Sequence, residues 1–310
     1  MKVFFQNRIM DEKEARVSVF DHGFLYGDGI YETVHATPDG IFEWPRHYRR
    51  LKQSARRIAL KVPWSSAFLS RGIIQVLKVN KSSQASIRIT VSRGPGPLGL
   101  DPALCPTPTL VMLLVPPRPL ERLWTAGVSI GIPKTRRNHP RCLDPQIKSN
   151  NSLNTILAKM EAKRMGVFEA VLLNLDGCLT EGTTSNIFFV RRGQLFTPSL
   201  ACGLLEGITR GEVIRLARRA GIKVHEGSYT PSHLRMADEI FLTSTTLEIV
   251  PVIKVVSRSL ATRNLFSGGG GAIGPGTHRT DGPSLPRSAL WRGRPGPITR
   301  RLHGLFRRLV

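Results

Sequence analysis

Apolar and polar positions alternate along this chain with two distinct periods. Ile30-Tyr31-Glu32-Thr33-Val34-His35 alternates residue by residue, as does the stretch 86–92, which predicts strands with one buried face. Thr109–Val115 is almost wholly apolar and predicts a buried strand. A period near 3.6 predicts a helix over 45–60, with Pro45 in its first turn, Leu51, Ala55 and Ile58 inward, and Arg49, Lys52, Arg56 and Arg57 outward. A second helix is expected over 65–78, capped by Ser65 or Ser66. A third is expected over 151–165, where Leu153, Ile156, Leu157, Met160 and Ala162 share one helical face.

The same reading predicts strands at Val128–Ile132, 170–174, 185–190, 195–196, 223–226 and 239–243. A helix opens at Gly207-Ile208-Thr209 and ends near Ala220, with Gly221 just past its C-cap, and a short one lies near 232–235. Asp21-His22-Gly23 turns the chain after the short apolar run 17–20. A terminal helix begins at Pro297, with Leu302, Leu305, Phe306 and Leu309 inward. The stretch 257–290, with Gly268-Gly269-Gly270-Gly271 and several prolines, reads as a flexible or disordered insertion. Pro116, Pro117 and Pro119 form a stiff linker, so the chain divides into a smaller domain, 1–118, and a larger one, 119–310.

Composition narrows the class. A chain of 310 residues with 41% apolar and 22% charged positions is an ordinary globular composition and long enough for two cores. The first residues are too polar for a secretory signal, and no apolar run could span a bilayer, so a cytoplasmic protein without a membrane segment is expected. Cys105, Cys142, Cys178 and Cys202 have no paired spacing, which predicts reduced thiols rather than a disulfide frame or zinc site. The net charge of +23 invites a nucleic-acid reading. The charge is not organised into a basic region with interleaved aromatics, so a basic enzyme is preferred and nucleic acid is not the expected partner.

Candidate chemistry comes from four places. Lys148 ends a polar loop just before a helix, where a lysine is ordinarily a solvated charge. The start of the helix at Gly207-Ile208-Thr209 offers free amides, a dipole and a hydroxyl to a phosphate. Ser244-Thr245-Thr246 offers hydroxyls and amides in a loop after a strand, and Glu181 is an acid at a strand end. Each is weak alone.

Their order and local sequences are stronger. Phe20-Asp21-His22-Gly23-Phe24-Leu25-Tyr26-Gly27-Asp28-Gly29-Ile30-Tyr31-Glu32-Thr33, Ile147-Lys148-Ser149, Leu179-Thr180-Glu181-Gly182-Thr183-Thr184-Ser185-Asn186, Gly207-Ile208-Thr209-Arg210 and the run from Ala237 to Val252 resemble, in order, the signatures of class IV aminotransferases. The resemblance covers residues 3–256 and resumes over 293–306. It implies fold type IV: an α/β (α+β) chain with a small N-terminal domain, a larger C-terminal pseudo-barrel, and pyridoxal 5'-phosphate (PLP) between them. It also implies a homodimer that completes the pocket.

By this resemblance Lys148 would form the imine with PLP and act as general base and acid. Glu181 would pair with the pyridinium nitrogen. Arg50, the Ile208 amide, Thr209 and Thr245 would hold the phosphate. The Thr245 and Thr246 amides would face the substrate carboxylate, Tyr26 and Tyr31 would line the substrate pocket, and Arg88 would receive the side-chain carboxylate of glutamate. The expected reaction is amino transfer between an amino acid, of the branched-chain type, and a 2-oxo acid such as 2-oxoglutarate. An aminodeoxychorismate lyase is the alternative, favoured by Ser92-Arg93-Gly94-Pro95-Gly96. A D-amino-acid aminotransferase follows, disfavoured by Leu98 where that type carries an arginine. Outside these, a nucleic-acid-binding protein and an impaired paralogue are the competing classes. The second is suggested by three departures: Ser152 and Leu153 where relatives have a tyrosine, Glu206 where they have a proline, and the insertion. Asn150 also replaces a usual apolar residue.

Overall fold

A computed structural model describes residues 1–115, 120–258 and 287–310. The proline stretch of the expected boundary and most of the expected insertion lie outside these residues. The elements run β1 (Lys2–Phe5), β2 (Arg8–Asp11), α1 (His22–Tyr26), β3 (Gly29–Thr37), β4 (Gly40–Ile41), α2 (Trp44–Arg57), α3 (Ser66–Val79), β5 (Ala85–Ser92) and β6 (Thr109–Val115). Then come α4 (Glu121–Ala126), β7 (Val128–Ile132), α5 (Leu153–Arg164), β8 (Glu169–Leu173), β9 (Leu179–Gly182), β10 (Asn186–Arg191) and β11 (Gln194–Pro198). The chain ends with α6 (Ile208–Arg219), β12 (Val224–Gly227), α7 (Pro231–Arg235), β13 (Glu239–Ser244), β14 (Glu248–Arg258), β15 (Arg287–Arg292) and α8 (Pro297–Arg307).

The first six strands make one antiparallel sheet, ordered β2-β1-β6-β5-β3-β4. The alternation read in 30–35 puts Ile30, Val34 and Ala36 under α2 and α3, with Leu51, Ala55, Leu69, Ile73 and Val76 facing them. Ser65 caps α3 by accepting from the Phe68 amide, as expected.

The remaining strands form the second sheet, in the order β12-β11-β10-β13-β14-β7-β8-β9. Strand β9 pairs with both β8 and β10, so β10-β13-β14-β7-β8-β9 close on themselves into a six-stranded barrel. Its core includes Ile130, Val171, Leu179, Ile187, Leu242 and Val252. Outside it, Phe188 and Phe241 stack at 5.0 Å beneath α6 and α8.

Several expectations need correction. Helix α5 starts at Leu153, and it packs through Ala158 and Ala162 against Ala170 and Leu172. Its large apolar residues Leu153, Ile156, Leu157 and Met160 are exposed, because only the small alanines allow the close approach to β8. Residues 257–258 and 287–290, placed in the insertion, are strand, with β14 pairing β15 through Ser257↔Ser288. Leu309 lies past the end of α8 and is exposed, and Ile58 is only half-buried. Asp21 does more than turn the chain: it caps α1, accepting from the Gly23 amide at 2.8 Å.

The Phe188–Phe241 stack makes one quantitative prediction. Phe188→Ala should lower the unfolding free energy by about 3–5 kcal/mol, measured by urea titration, since both rings are fully buried.

Candidate active site

A cavity of about 470 Å³ opens where the two sheets meet. The first sheet supplies Tyr31 and Thr33 from β3, Arg88 from β5 and Leu113 and Val115 from β6. The second part supplies Lys148, Glu181, the start of α6 and the β13–β14 turn. Nine of the ten expected site residues line it: Arg50, Lys148, Glu181, Ile208, Thr209, Thr245, Tyr31, Arg88 and Thr246. The tenth, Tyr26, does not. It sits in α1 on the outside, 37% exposed, where its hydroxyl accepts from the Gly99 amide.

Lys148 is held by its backbone. Its amide donates to Ser54 Oγ at 3.1 Å, and its carbonyl accepts from the Tyr31 amide at 2.9 Å. The Asn150 amide then donates to the Gly29 carbonyl, so the loop is stitched to the start of β3. This is why a loop lysine has a fixed place. The ammonium lies 4.2 Å from the centroid of the Tyr31 ring, and the Arg88 guanidinium lies 3.7 Å from the same centroid. The Lys148 charge pulls the Tyr31 hydroxyl below its ordinary pKa, against burial and with help from Arg88.

Arg88 also donates to Thr90 Oγ1 at 3.2 Å and to Asn150 Oδ1 at 3.4 Å. The neighbouring Arg93 is spent elsewhere, forked onto Asp28 at 2.7 and 3.0 Å and donating to the carbonyls of Ile58 and Ala59.

Arg50 sits in a buried charge network. Its Nε and Nη2 donate to the two Glu32 oxygens at 2.7 and 2.8 Å, and its Nη1 donates to the Glu206 carbonyl at 2.7 Å. His47 Nδ1 meets Glu32 Oε2 at 2.9 Å. Burial alone would raise the Glu32 pKa, but the Arg50 charge and the bonds from Arg50 and His47 hold it well below the ordinary glutamate value. Burial pushes His47 down, against the pull of Glu32, and so keeps it neutral. The adjacent Arg49 is exposed. The Glu206 side chain is exposed too, so the carboxylate that departs from the family pattern turns away from the cavity.

Glu181 is buried and takes a donor on each oxygen, Arg137 Nε at 2.9 Å and the Leu205 amide at 3.1 Å. Burial raises its pKa, against the opposing charge of Arg137. Arg137 is the residue that sequence reasoning passed over. It stood inside a basic loop, 134–139, and only its pairing with a buried acid distinguishes it from its neighbours. Ser152 lines the cavity and Leu153 points away from it, so the missing tyrosine is replaced by a short hydroxyl.

Helix α6 begins at Ile208 with Gly207 as N-cap, and no side chain caps its first amides. They are left to a ligand. A Cβ at Gly207 would come within 2.0 Å of Asn186 Oδ1, so the chain can run this close only as glycine. Two buried hydroxyls on the cavity wall, Ser185 Oγ and Thr243 Oγ1, lack hydrogen-bond partners among the described residues. Uncapped amides, orphaned hydroxyls, an arginine and a buried acid opposite a lysine fit a phosphorylated pyridine aldehyde.

The residues 29–255 match the family model of the amino-transferase class IV. That is more than two thirds of the chain and includes every residue that lines the cavity. The chain belongs to the class IV aminotransferases. It is similar to a putative branched-chain-amino-acid aminotransferase of Methanocaldococcus jannaschii, 41% identical over 265 residues, 86% of this chain and 91% of that protein. It is also similar to the D-alanine aminotransferase of Bacillus licheniformis, 32% identical over 275 residues, 89% and 93% of the two chains. Among solved structures, the branched-chain aminotransferase of Thermoproteus uzoniensis with norvaline superposes with a TM-score of 0.82, at 30% identity over 99% of this chain and 94% of that one. This aminotransferase is therefore a fold type IV, PLP-dependent transaminase. Among its described residues, no cluster of His, Cys, Asp and Glu could hold a metal ion, and no helix is long and apolar enough to cross a membrane.

The Glu32 network yields a signed pH prediction. Glu32 is depressed in the fold, so the stability it contributes is present above the ordinary value of 4.5 and is lost as pH falls below it. Glu32→Gln should cost about 3–5 kcal/mol at neutral pH by breaking a buried pair. In urea titrations of the cofactor-free chain, its deficit against the parent should shrink steadily below pH 4.5.

Proposed function

We propose that this aminotransferase moves the amino group between a branched-chain amino acid and a 2-oxo acid such as 2-oxoglutarate, with Lys148 as its catalytic residue. The observation that carries the reading is the convergence of Lys148, Glu181, Arg50, the α6 start and the Thr245–Thr246 turn on one cavity. That cavity lies between the proposed domains, 1–118 and 119–310. PLP, when bound, supplies an electron sink that makes the α-proton of an amino acid labile.

The protein's own groups do the rest. Arg50, the Ile208 amide and the hydroxyls of Thr209 and Thr245 hold the phosphate. Glu181, fixed by Arg137 and the Leu205 amide, would pair with the ring nitrogen and hold the proton on that nitrogen. Lys148 would hold the cofactor through Nζ, and that amine would take the proton from the substrate Cα. Tyr31 lies directly under that ammonium and fixes its approach. The amides of Thr245 and Thr246 receive the substrate carboxylate. Leu113, Val115 and Leu143 make an apolar wall for a branched side chain, and Arg88, against the Tyr31 ring, receives the second carboxylate of glutamate.

The working unit is a homodimer in the cytoplasm. Val17, Val19, Phe20, Phe24, Leu98 and Leu100 are exposed, as is the apolar side of α5. We read these exposed apolar side chains as belonging to the interface. Tyr26, carried on the same exposed segment, reaches a substrate pocket only across that dimer. The positive charge serves anionic substrates rather than nucleic acid.

Half-reactions test the substrate. Leucine and glutamate should each bleach the visible band of the purified enzyme, while D-alanine should act slowly. Lys148→Ala should abolish the band and lower turnover by at least about 10⁴-fold. Pyruvate released from aminodeoxychorismate without bleaching would reassign the enzyme as a lyase. For the dimer, Leu157→Lys should shift the species seen by analytical ultracentrifugation to the monomer.

A further inference from the structure

The β13–β14 hairpin carries Thr245 and Thr246 into the cavity, and it is built in an unusual way. Ser244 pairs with Glu248, which leaves Thr245, Thr246 and Leu247 as a three-residue connection. The residue closing such a hairpin adopts a left-handed conformation and is ordinarily glycine. Here it is Glu248, at φ 59°. A side chain is strained in that region, and observed strain of this kind accompanies sites that must be held in one geometry.

The glutamate is held from the other end of the chain. His303 Nε2 meets its Oε2 at 3.0 Å, and Arg307 Nη1 donates to its Oε1 at 2.9 Å. These residues lie one turn apart on α8, which the buried Leu302 and Phe306 fix to the core around Phe188. Trp124 of α4 donates Nε1 to the Leu247 carbonyl at 3.1 Å. The same indole packs on the His303 ring at 4.9 Å and under the Arg307 guanidinium at 4.7 Å. Within the turn, the Leu247 amide donates to Ser244 Oγ at 3.2 Å, and Ser244 Oγ meets Thr246 Oγ1 at 3.4 Å. The turn is thus tied at its closing carboxylate and at its last carbonyl.

We infer that α8 is a positioning element of the active site: through Glu248 it sets where Thr245 and Thr246 stand, and so tunes how tightly substrate carboxylate and cofactor phosphate are held. Its residues lie beyond the 29–255 matched to the family, so the anchor is drawn from outside the matched region. The functional half of this inference rests on the roles proposed above for Thr245 and Thr246. The anchoring half rests on contacts alone.

Glycine separates the two roles of Glu248. Glu248→Gly keeps the left-handed backbone, relieves its strain and deletes the carboxylate. In the holoenzyme, amide hydrogen exchange at Thr245–Leu247 should accelerate about tenfold, a change equivalent to roughly 1.4 kcal/mol. The thermal midpoint should stay near that of the parent. KM for the amino acid and Kd for PLP should each rise about tenfold, with kcat changing less. Arg307→Met should reproduce the direction of these changes, and Arg307→Lys should restore most of the parent values. Exchange, KM and Kd all within twofold of the parent in both Glu248→Gly and Arg307→Met would overturn the inference. If the parent protein transferred no amino group at all, the transaminase reading would fall, while the exchange rates and PLP affinity would still decide for or against the anchor.

Discussion

One guanidinium holds the two halves of this active site together. Arg50 rises from α2, forks onto Glu32 of β3, and reaches across to the Glu206 carbonyl at the threshold of α6. Glu32 has no exposure to solvent. A buried pair of this kind adds little net stability over an apolar substitute, but losing one partner is costly. Its value is positional. The pairing also cancels much of the Arg50 charge, so an anion in the cavity does not meet a strong positive field. The attraction must then come from the α6 amides and the surrounding hydroxyls, which is where the uncapped helix start and the orphaned Ser185 and Thr243 groups lie.

The same logic of indirect support recurs around the cavity. Lys148 is placed by backbone bonds to Ser54, Tyr31 and Gly29, Glu181 by Arg137 and Leu205, and the β13–β14 turn by α4 and α8. Each group facing the cavity is steadied by another that lies behind it. Holding such groups before any ligand arrives reduces the reorganisation required during reaction.

Much of this was legible in the sequence where local physics decides. The alternation in 30–35 and the helical period in 45–60 gave the first sheet and its covering helix, and Ser65 gave the α3 cap. Gly207-Ile208-Thr209 could be read as an anion site because a helix start exposes its amides whatever the fold. What failed depended on partners distant in the chain. The apolar spacing in α5 was real, but the helix packs through its alanines and turns its large residues outward. Tyr26, in a family-like motif, lies outside the cavity of the single chain, a position the sequence alone did not show. Arg137 and Glu248 carry no local mark: one is an arginine among basic residues and the other a glutamate in a strand. Their roles emerge only once Glu181, His303 and Arg307 are beside them.

The burial of the acids alters how the molecule meets its surroundings. Asp21, Glu32, Glu169, Glu181, Glu212, Glu239 and Glu248 are all interior. A chain with only 22 acidic residues to 45 basic ones thus withdraws a substantial share of its negative charge from the outer face. The envelope is more cationic than the amino-acid count suggests. The 2-oxo acids are net anions, and a positive envelope enriches them near the cavity mouth, an advantage that fades as ionic strength rises. The same envelope will draw polyanions from a cell extract during purification, so the protein should come off a cation-exchange resin late and keep its nucleic-acid contaminants until washed with salt.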